Sequence, residues 1–130
     1  MVDTGLSNSK WFIGLNGFIR FGLEITALIA TGSYFWHKVE GLWGNSLAFG
    51  APLSMVVLWG VFNVPNDPSR SGKAPVVVPG FVRLLIEILV LGTGCYFLFL
   101  QHTSYAWVYL SLMLFHYAVS YPRIVWLLKQ

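Results

Sequence analysis

The stretch "FIRFGLEI", residues 18–25, places an arginine and a glutamate four residues apart within an apolar run long enough to enter a membrane. A similar stretch, "FVRLLIEI", occupies residues 81–88, and both follow the pattern Phe-x-Arg-x-x-x-Glu-Ile. Further along, "TGSYF" at 31–35 resembles "TGCYF" at 93–97. Chance similarity between apolar segments is the alternative, but here the charged residues match as well. We therefore predict an internal repeat of two similar units.

The overall composition is typical of a membrane protein. Of the 130 residues, 56% are hydrophobic and only 10% are charged, whereas a soluble domain has about 25% charged residues. Six Trp and six Tyr fit two aromatic belts at the membrane surfaces. The formal net charge of +3 comes without a basic run or a nucleic-acid-binding motif, so we exclude nucleic acid as a partner.

Four apolar stretches lie at about residues 16–36, 45–64, 80–101 and 104–127. Each is about 20 residues or slightly longer, which is the length a helix needs to cross about 30 Å of hydrocarbon. Helices are expected because they satisfy their own backbone hydrogen bonds in lipid. We predict an all-α fold, a four-helix transmembrane bundle in which residues 1–130 form a single integral membrane domain. Its two helical hairpins would be related by a pseudo-two-fold axis along the membrane normal.

The distribution of lysine and arginine predicts the orientation of the bundle. Lys38 alone lies at the end where the first two predicted helices are joined. Because basic residues collect on the cytoplasmic side, both termini and the long loop at 64–80 are expected in the cytoplasm. Seven basic residues lie at that end: Lys10, Arg20, Arg70, Lys73, Arg83, Arg123 and Lys129.

The charged residues of the repeat are expected to lie inside the bundle. Arg20 and Arg83 would sit about 6 Å into their helices, and Glu24 and Glu87 about 12 Å. The arginines can extend to the membrane surface, but the glutamates are too short and must be protonated, paired or beside water. Each arginine can pair with the glutamate four residues later in its own helix. This order is unfavourable, because the arginine lies nearer the positive N-terminal end of the helix dipole. We therefore predict pairs across the bundle, Arg20 with Glu87 and Arg83 with Glu24, or an anion held between the arginines.

Further polar residues are expected at the same depth. His116 lies about 9 Å from the cytoplasmic end of its helix, and Trp59 and Asn63 hold the matching place before Pro65. Cys95 is the single cysteine and is expected to be a packing residue. We predict no catalytic residue, no metal site and no cofactor. The predicted ligand-binding cluster consists of Arg20, Glu24, Trp59, Asn63, Arg83, Glu87 and His116.

An ordered set of short motifs carries a family resemblance. They are R-x-x-x-E at 20–24, G-A-P at 50–52, W-G-V-F at 59–62 ahead of Pro65, and R-x-x-x-E at 83–87. With these motifs, residues 18–122 resemble the YrdB-like family of small bacterial membrane proteins, a domain of unknown function. The resemblance implies four transmembrane helices in a bacterial plasma membrane. It implies no reaction, substrate or assigned site.

Two classes of function remain open for such a protein. The first is a small transporter or binding protein for a polar or anionic small molecule or a lipid head group, with Glu24, Glu87 and His116 available for proton coupling. The second is a non-catalytic accessory or structural protein, in which the Arg–Glu pairs hold the bundle or a partner together. An enzyme is the least favoured class, because no nucleophile–base pair has recognisable spacing. The expected surroundings are a lipid bilayer, and a homo-oligomer is an open alternative.

Overall fold

The computed structural model describes residues 10–67, 74–101 and 103–130, and it is almost entirely helical. The predicted all-α fold is confirmed. Arg70 and Lys73, which contributed to the predicted orientation, lie outside the described residues. The five helices are α1 Lys10–Lys38, α2 Gly41–Val61, α3 Gly80–Gln101, α4 Thr103–Val119 and α5 Tyr121–Leu128.

A short strand pair connects the two halves of the chain. β1, Phe62–Asn63, follows α2 directly and pairs in parallel with β2, Val76–Val77. The predicted second helix, 45–64, therefore ends earlier than expected, because the chain enters β1 after Val61. Apolar composition alone does not distinguish such a buried extended segment from the last turn of a helix.

The predicted fourth helix, 104–127, is divided in the structure. α4 ends at Val119 and α5 begins at Tyr121, with Ser120 between them. Pro122 lies in the first turn of α5. A backbone N–H at this position has no acceptor within the helix, so proline loses no hydrogen bond there. The same missing N–H removes one backbone bond of a continuous helix, which is a physical reason for the division.

Helices α1 and α3 form the centre of the molecule. They run in the same direction, since Ala27 lies beside Gly94 and, further along, Gln101 Nε2 donates to the Ala30 carbonyl at 2.9 Å. A Cβ added to Gly94 would lie 2.5 Å from the Ala27 Cβ, so glycine permits this close crossing. α2 packs on one side of the pair and α4 on the other, and each forms a hairpin with the helix that precedes it.

Much of the apolar surface faces outward. α2 and α3 are long and apolar enough to cross a membrane, yet only 17% and 28% of their most apolar windows are buried inside the protein. The outward faces carry large side chains such as Leu42, Leu53 and Phe18, which are 81%, 63% and 73% exposed. Such continuous exposure is rare in soluble monomers.

Candidate functional site

Glu87 of α3 is the common acceptor for three arginines. Its Oε2 accepts from Arg83 Nε at 2.9 Å and from Arg20 Nη2 at 3.4 Å. Arg123 of α5 donates to both oxygens, from Nη1 to Oε1 at 2.9 Å and from Nη2 to Oε2 at 2.6 Å. Glu87 is fully buried. An ionised carboxylate at such a place needs both charge compensation and hydrogen bonds, and these three residues supply them.

Arg83 links α3 to the end of α2. Its Nη1 donates to the carbonyls of Trp59 at 2.6 Å and Phe62 at 2.8 Å. Trp59 lies in the last turn of α2, where carbonyls have no partner within the helix, and Phe62 is the first residue of β1. The Arg83 guanidinium donates to both carbonyls. The residue is fully buried. Its bonds to Glu87 and to α2 therefore give it a structural place between two helices.

Arg123 brings a loop carboxylate into the same cluster. Its Nε and Nη2 donate to the two oxygens of Asp67, at 2.9 and 2.6 Å, in a two-point arrangement. Burial alone would lower the pKa of Arg123, but the hydrogen bonds to Asp67 and Glu87 outweigh it and hold this pKa above its usual value. We call the resulting set the charged network: Arg20, Glu24, Asp67, Arg83, Glu87 and Arg123.

Arg20 is the least tightly held arginine of the charged network. Its Nε lies 3.4 Å from Glu24 Oε1, and its Nη2 lies 3.4 Å from Glu87 Oε2. The Trp59 ring lies 4.9 Å from the guanidinium carbons of both Arg20 and Arg83. Cations at this distance are attracted to the face of an indole ring. Glu24 keeps 24% of its side chain exposed, which makes it the open edge of the network.

His116 belongs to a neighbouring polar group. Its Nδ1 lies 2.9 Å from Asn16 Oδ1, and Asn16 Nδ2 donates to Ser120 Oγ at 3.0 Å. This group joins α1 to the junction of α4 and α5. The imidazole is thus bonded to Asn16 rather than to a carboxylate of the charged network, although it is buried beside it.

Two buried polar atoms have no hydrogen-bond partner among the described residues. They are Asn63 Oδ1 and the Tyr117 hydroxyl. The Asn63 amide nitrogen donates to the Gly60 carbonyl at 2.7 Å, and the residue is fully buried at the junction of α2 and β1. Such atoms normally find a partner in a protein or in water.

Comparison with known proteins identifies the family. A family model described as "Protein of unknown function (DUF2568)" matches residues 18–114. The chain belongs to this family. It is also 42% identical over 118 residues to the Bacillus subtilis (strain 168) protein named "Uncharacterized protein YrdB", covering 88% of this chain and 94% of that protein. No solved structure matches the chain. The predicted YrdB-like resemblance is confirmed.

The DUF2568 match contains five of the six residues of the charged network and leaves out Arg123. Sequence analysis predicted Arg20, Glu24, Arg83, Glu87 and Trp59 near one another, and the structure brings these five together. The predicted contact between Arg20 and Glu87 is present. Arg83 donates to Glu87 of its own helix instead of pairing with Glu24 as predicted. Asn63 and His116 lie at the edges, with partners of their own.

Asp67 and Arg123 were missed as site residues. A charge count over the sequence offers the signal that would have found them. The chain has four arginines, Arg20, Arg70, Arg83 and Arg123, whereas the repeat supplies only two carboxylates, Glu24 and Glu87. Asp67, just after α2, is a further acidic residue in the chain that reduces this excess.

Among the residues that the structure describes, no group of three or more His, Cys, Asp or Glu side chains is placed to hold a metal ion. The donors of Arg83 and Arg123 are directed at protein carboxylates and carbonyls. The Arg20–Glu24 edge is therefore the part of the charged network best placed to meet a further molecule.

Proposed function

We propose that this chain is a multi-pass protein of a bacterial plasma membrane, with α1 to α4 as four transmembrane helices in two hairpins. The length and apolar character of α2 and α3 support this proposal. The outward-facing side chains of α1 and α4 support it too, since lipid is the solvent that suits them. Large exposed apolar residues on these two helices are Phe18, Phe21, Ile29, Trp107, Val108 and Leu114.

In this proposal both termini and the β1–β2 connection lie in the cytoplasm. The excess of lysine and arginine at that end supports the orientation. α5 would lie at the cytoplasmic surface, with Tyr121 and Leu128 exposed and Leu127 buried. The parallel direction of α1 and α3 agrees with two repeated hairpins of equal orientation. One integral membrane domain would then comprise residues 1–130.

Within the membrane, the protein would bind a polar or anionic group at Arg20. The observation that carries this proposal is the difference in distances within the charged network. Arg83 and Arg123 bind their acceptors at 2.6–2.9 Å, whereas both carboxylate contacts of Arg20 are 3.4 Å. A phosphate or carboxylate can compete for such a guanidinium, because it offers short charge-assisted hydrogen bonds.

Other residues of the predicted cluster would support this site in different ways. The Trp59 ring lies against the Arg20 guanidinium. The buried Glu87 accepts a hydrogen bond from Arg20 and so holds its position. Asn63 offers a buried oxygen without a partner among the described residues. His116 would orient the wall of the site through Asn16. Ionisable groups at membrane depth mark functional sites more often than surface charges do.

The second candidate function is that of an accessory or structural membrane protein. It is favoured by the three short hydrogen bonds of the buried Arg83, which connect α3 to the carbonyls of Trp59 and Phe62 and to Glu87. Here the charged network would stabilise the bundle or a complex with a partner, since lipid provides no hydrophobic force between helices. Both candidates are non-catalytic.

Thermal unfolding of the purified full-length protein separates the two candidates. Inorganic phosphate and phosphatidylglycerol in mixed micelles serve as the anionic probes, with an equal concentration of chloride as the reference. Arg20→Gln is the test variant. Lys38→Gln is the matched control, because it removes a basic residue that is exposed at the opposite end of α1.

Binding at Arg20 predicts that at least one probe raises the unfolding temperature of the wild type and of Lys38→Gln, but not of Arg20→Gln. If no probe stabilises the wild type, or if Arg20→Gln responds as the wild type does, binding at Arg20 is rejected. The structural candidate would then be the better description.

A further inference from the structure

The Arg20–Glu24 edge presents a cation and a carboxylate side by side, and the rest of the charged network holds Arg20 only through a 3.4 Å contact to Glu87. Glu87 accepts hydrogen bonds from three arginines, and Asp67 accepts two from Arg123, one on each carboxylate oxygen. Within the part of the chain that the structure describes, Glu24 has one cationic contact, Arg20 at 3.4 Å. A ligand that carried only a negative charge would compensate Arg20 and leave Glu24 with less compensation than before.

The surroundings of Glu24 are apolar and face outward. Phe21 precedes it by one turn and is 58% exposed, and Ile25 follows it and is 39% exposed. In the proposed membrane, a molecule that reaches the 24% exposed carboxylate passes along this apolar surface, which suits a molecule with acyl chains.

The depth of the edge suits a lipid head group. Arg20 lies beside Trp59, in the last turn of α2 before the chain enters β1. Glu24 is one helical turn further in, about 6 Å along the helix. In the proposed membrane, Arg20 therefore lies at the cytoplasmic surface near the end of α2, and Glu24 lies about 6 Å deeper. The two opposite charges follow one another along the membrane normal.

We propose that the Arg20–Glu24 edge binds a zwitterionic phosphate ester with a primary ammonium group, in the form of a phosphatidylethanolamine-type lipid. Arg20 holds the phosphate through the planar donors that suit it. Glu24 accepts N–H donors from the ammonium, which has three of them. This inference rests on the proposed binding of an anionic group at Arg20, and it adds a specific role for Glu24.

The test is a binding titration of the full-length protein in mixed micelles, followed by tryptophan fluorescence. Trp59 lies 4.9 Å from the Arg20 guanidinium. Because the chain has six tryptophans, the signal assigned to the site is the part of the fluorescence change that is lost in Trp59→Phe. The probes are phosphatidylethanolamine, phosphatidylcholine and phosphatidylglycerol with the same acyl chains, and free phosphoethanolamine. Phosphatidylcholine keeps the zwitterion but has no N–H donor, and phosphatidylglycerol keeps the phosphate but has no cation.

We expect phosphatidylethanolamine to bind the wild type about tenfold more tightly than phosphatidylcholine, the effect of one charge-assisted hydrogen bond. Glu24→Gln should reduce this ratio to near one and keep the binding of phosphatidylglycerol. Arg20→Gln should lose all three lipids. If Glu24→Gln does not fold, Glu24→Asp makes the same comparison, since it keeps the charge but withdraws the carboxylate by one methylene.

Equal affinity of the wild type for phosphatidylethanolamine and phosphatidylcholine would overturn the inference, and Arg20-dependent binding of phosphatidylglycerol would then leave the proposed function in place. If no probe binds in an Arg20-dependent way, both fail together. Free phosphoethanolamine binding as tightly as the lipid would overturn the assignment to a lipid and identify a soluble zwitterion instead.

Discussion

Arg123 and Glu87 form a two-point ion pair, in which each terminal nitrogen of the guanidinium donates to a different carboxylate oxygen, at 2.9 and 2.6 Å. The pair joins α5 to α3 across 36 positions of the chain. Planar pairs of this kind fix orientation as well as distance. The position of the C-terminal helix is therefore set by a buried carboxylate that two other arginines also contact.

Removing the charge of Glu87 should destabilise the protein more than any other single change in the charged network. Glu87→Gln leaves three arginines without their shared acceptor charge, and breaking a buried pair costs about 3–5 kcal/mol. The measurement is the free energy of unfolding in detergent. Glu24→Gln is the matched control, because Glu24 is partly exposed and its ion pair among the described residues is the 3.4 Å contact to Arg20. Equal losses in the two variants would contradict the central position of Glu87.

Replacing the guanidinium of Arg123 by the amine of lysine should detach α5 from the charged network, while the other helices stay folded. Arg123→Lys keeps the charge but cannot contact Asp67 and Glu87 at two points each. We expect faster hydrogen exchange over Tyr121–Leu128 and a loss of about 1–3 kcal/mol in its local stability. Lys129→Gln serves as the control, since Lys129 is exposed at the end of the helix. Unchanged exchange in Arg123→Lys would mean that packing alone holds α5.

The helical fold and the pairing of Arg20 with Glu24 could be predicted from the sequence, because both depend on local signals. Length and apolar composition define helices in lipid, and four-residue spacing places Arg20 and Glu24 on one face. The division at Ser120 was missed because the apolar run continues through it, although Pro122 was visible in the sequence. Proline at this position is compatible with either a kink or a new helix start.

The remainder of the charged network depends on tertiary structure and could not be predicted from spacing. Arg83 donates to Glu87 of its own helix and to the carbonyls of Trp59 and Phe62 at the end of α2. The two carbonyls come within hydrogen-bond distance through the packing of α2 against α3. Asp67 is distant from the repeat and reaches the site through the turn after β1. Helix periodicity contains no information about such loop residues.

The close crossing of α1 and α3 should depend on Gly94. A Cβ at this position would lie 2.6 Å from the Ala27 Cα and 3.1 Å from the Tyr109 hydroxyl, so Gly94→Ala forces the two helices apart. Overpacking of this kind costs about 1–3 kcal/mol, and the unfolding midpoint in detergent should fall accordingly. Gly92→Ala is the matched control on the same helix, because nothing lies within 4 Å of its added Cβ. A loss of equal size in both variants would contradict the role of the crossing, since helix propensity favours alanine over glycine and cannot explain a loss.

Labelling of single cysteines in intact cells tests the proposed orientation. Cys95 is buried and is first replaced by alanine. Glu40→Cys then places a thiol in the α1–α2 turn, where the Glu40 side chain makes no capping bond, and Gln130→Cys places one at the exposed C-terminus. A membrane-impermeant maleimide should label position 40 in intact cells and position 130 only after the membrane is opened, because four crossings return the chain to its starting side. Labelling of position 130 alone would invert the orientation, and labelling of both would mean that an even number of segments crosses between them, instead of the three that α2, α3 and α4 supply.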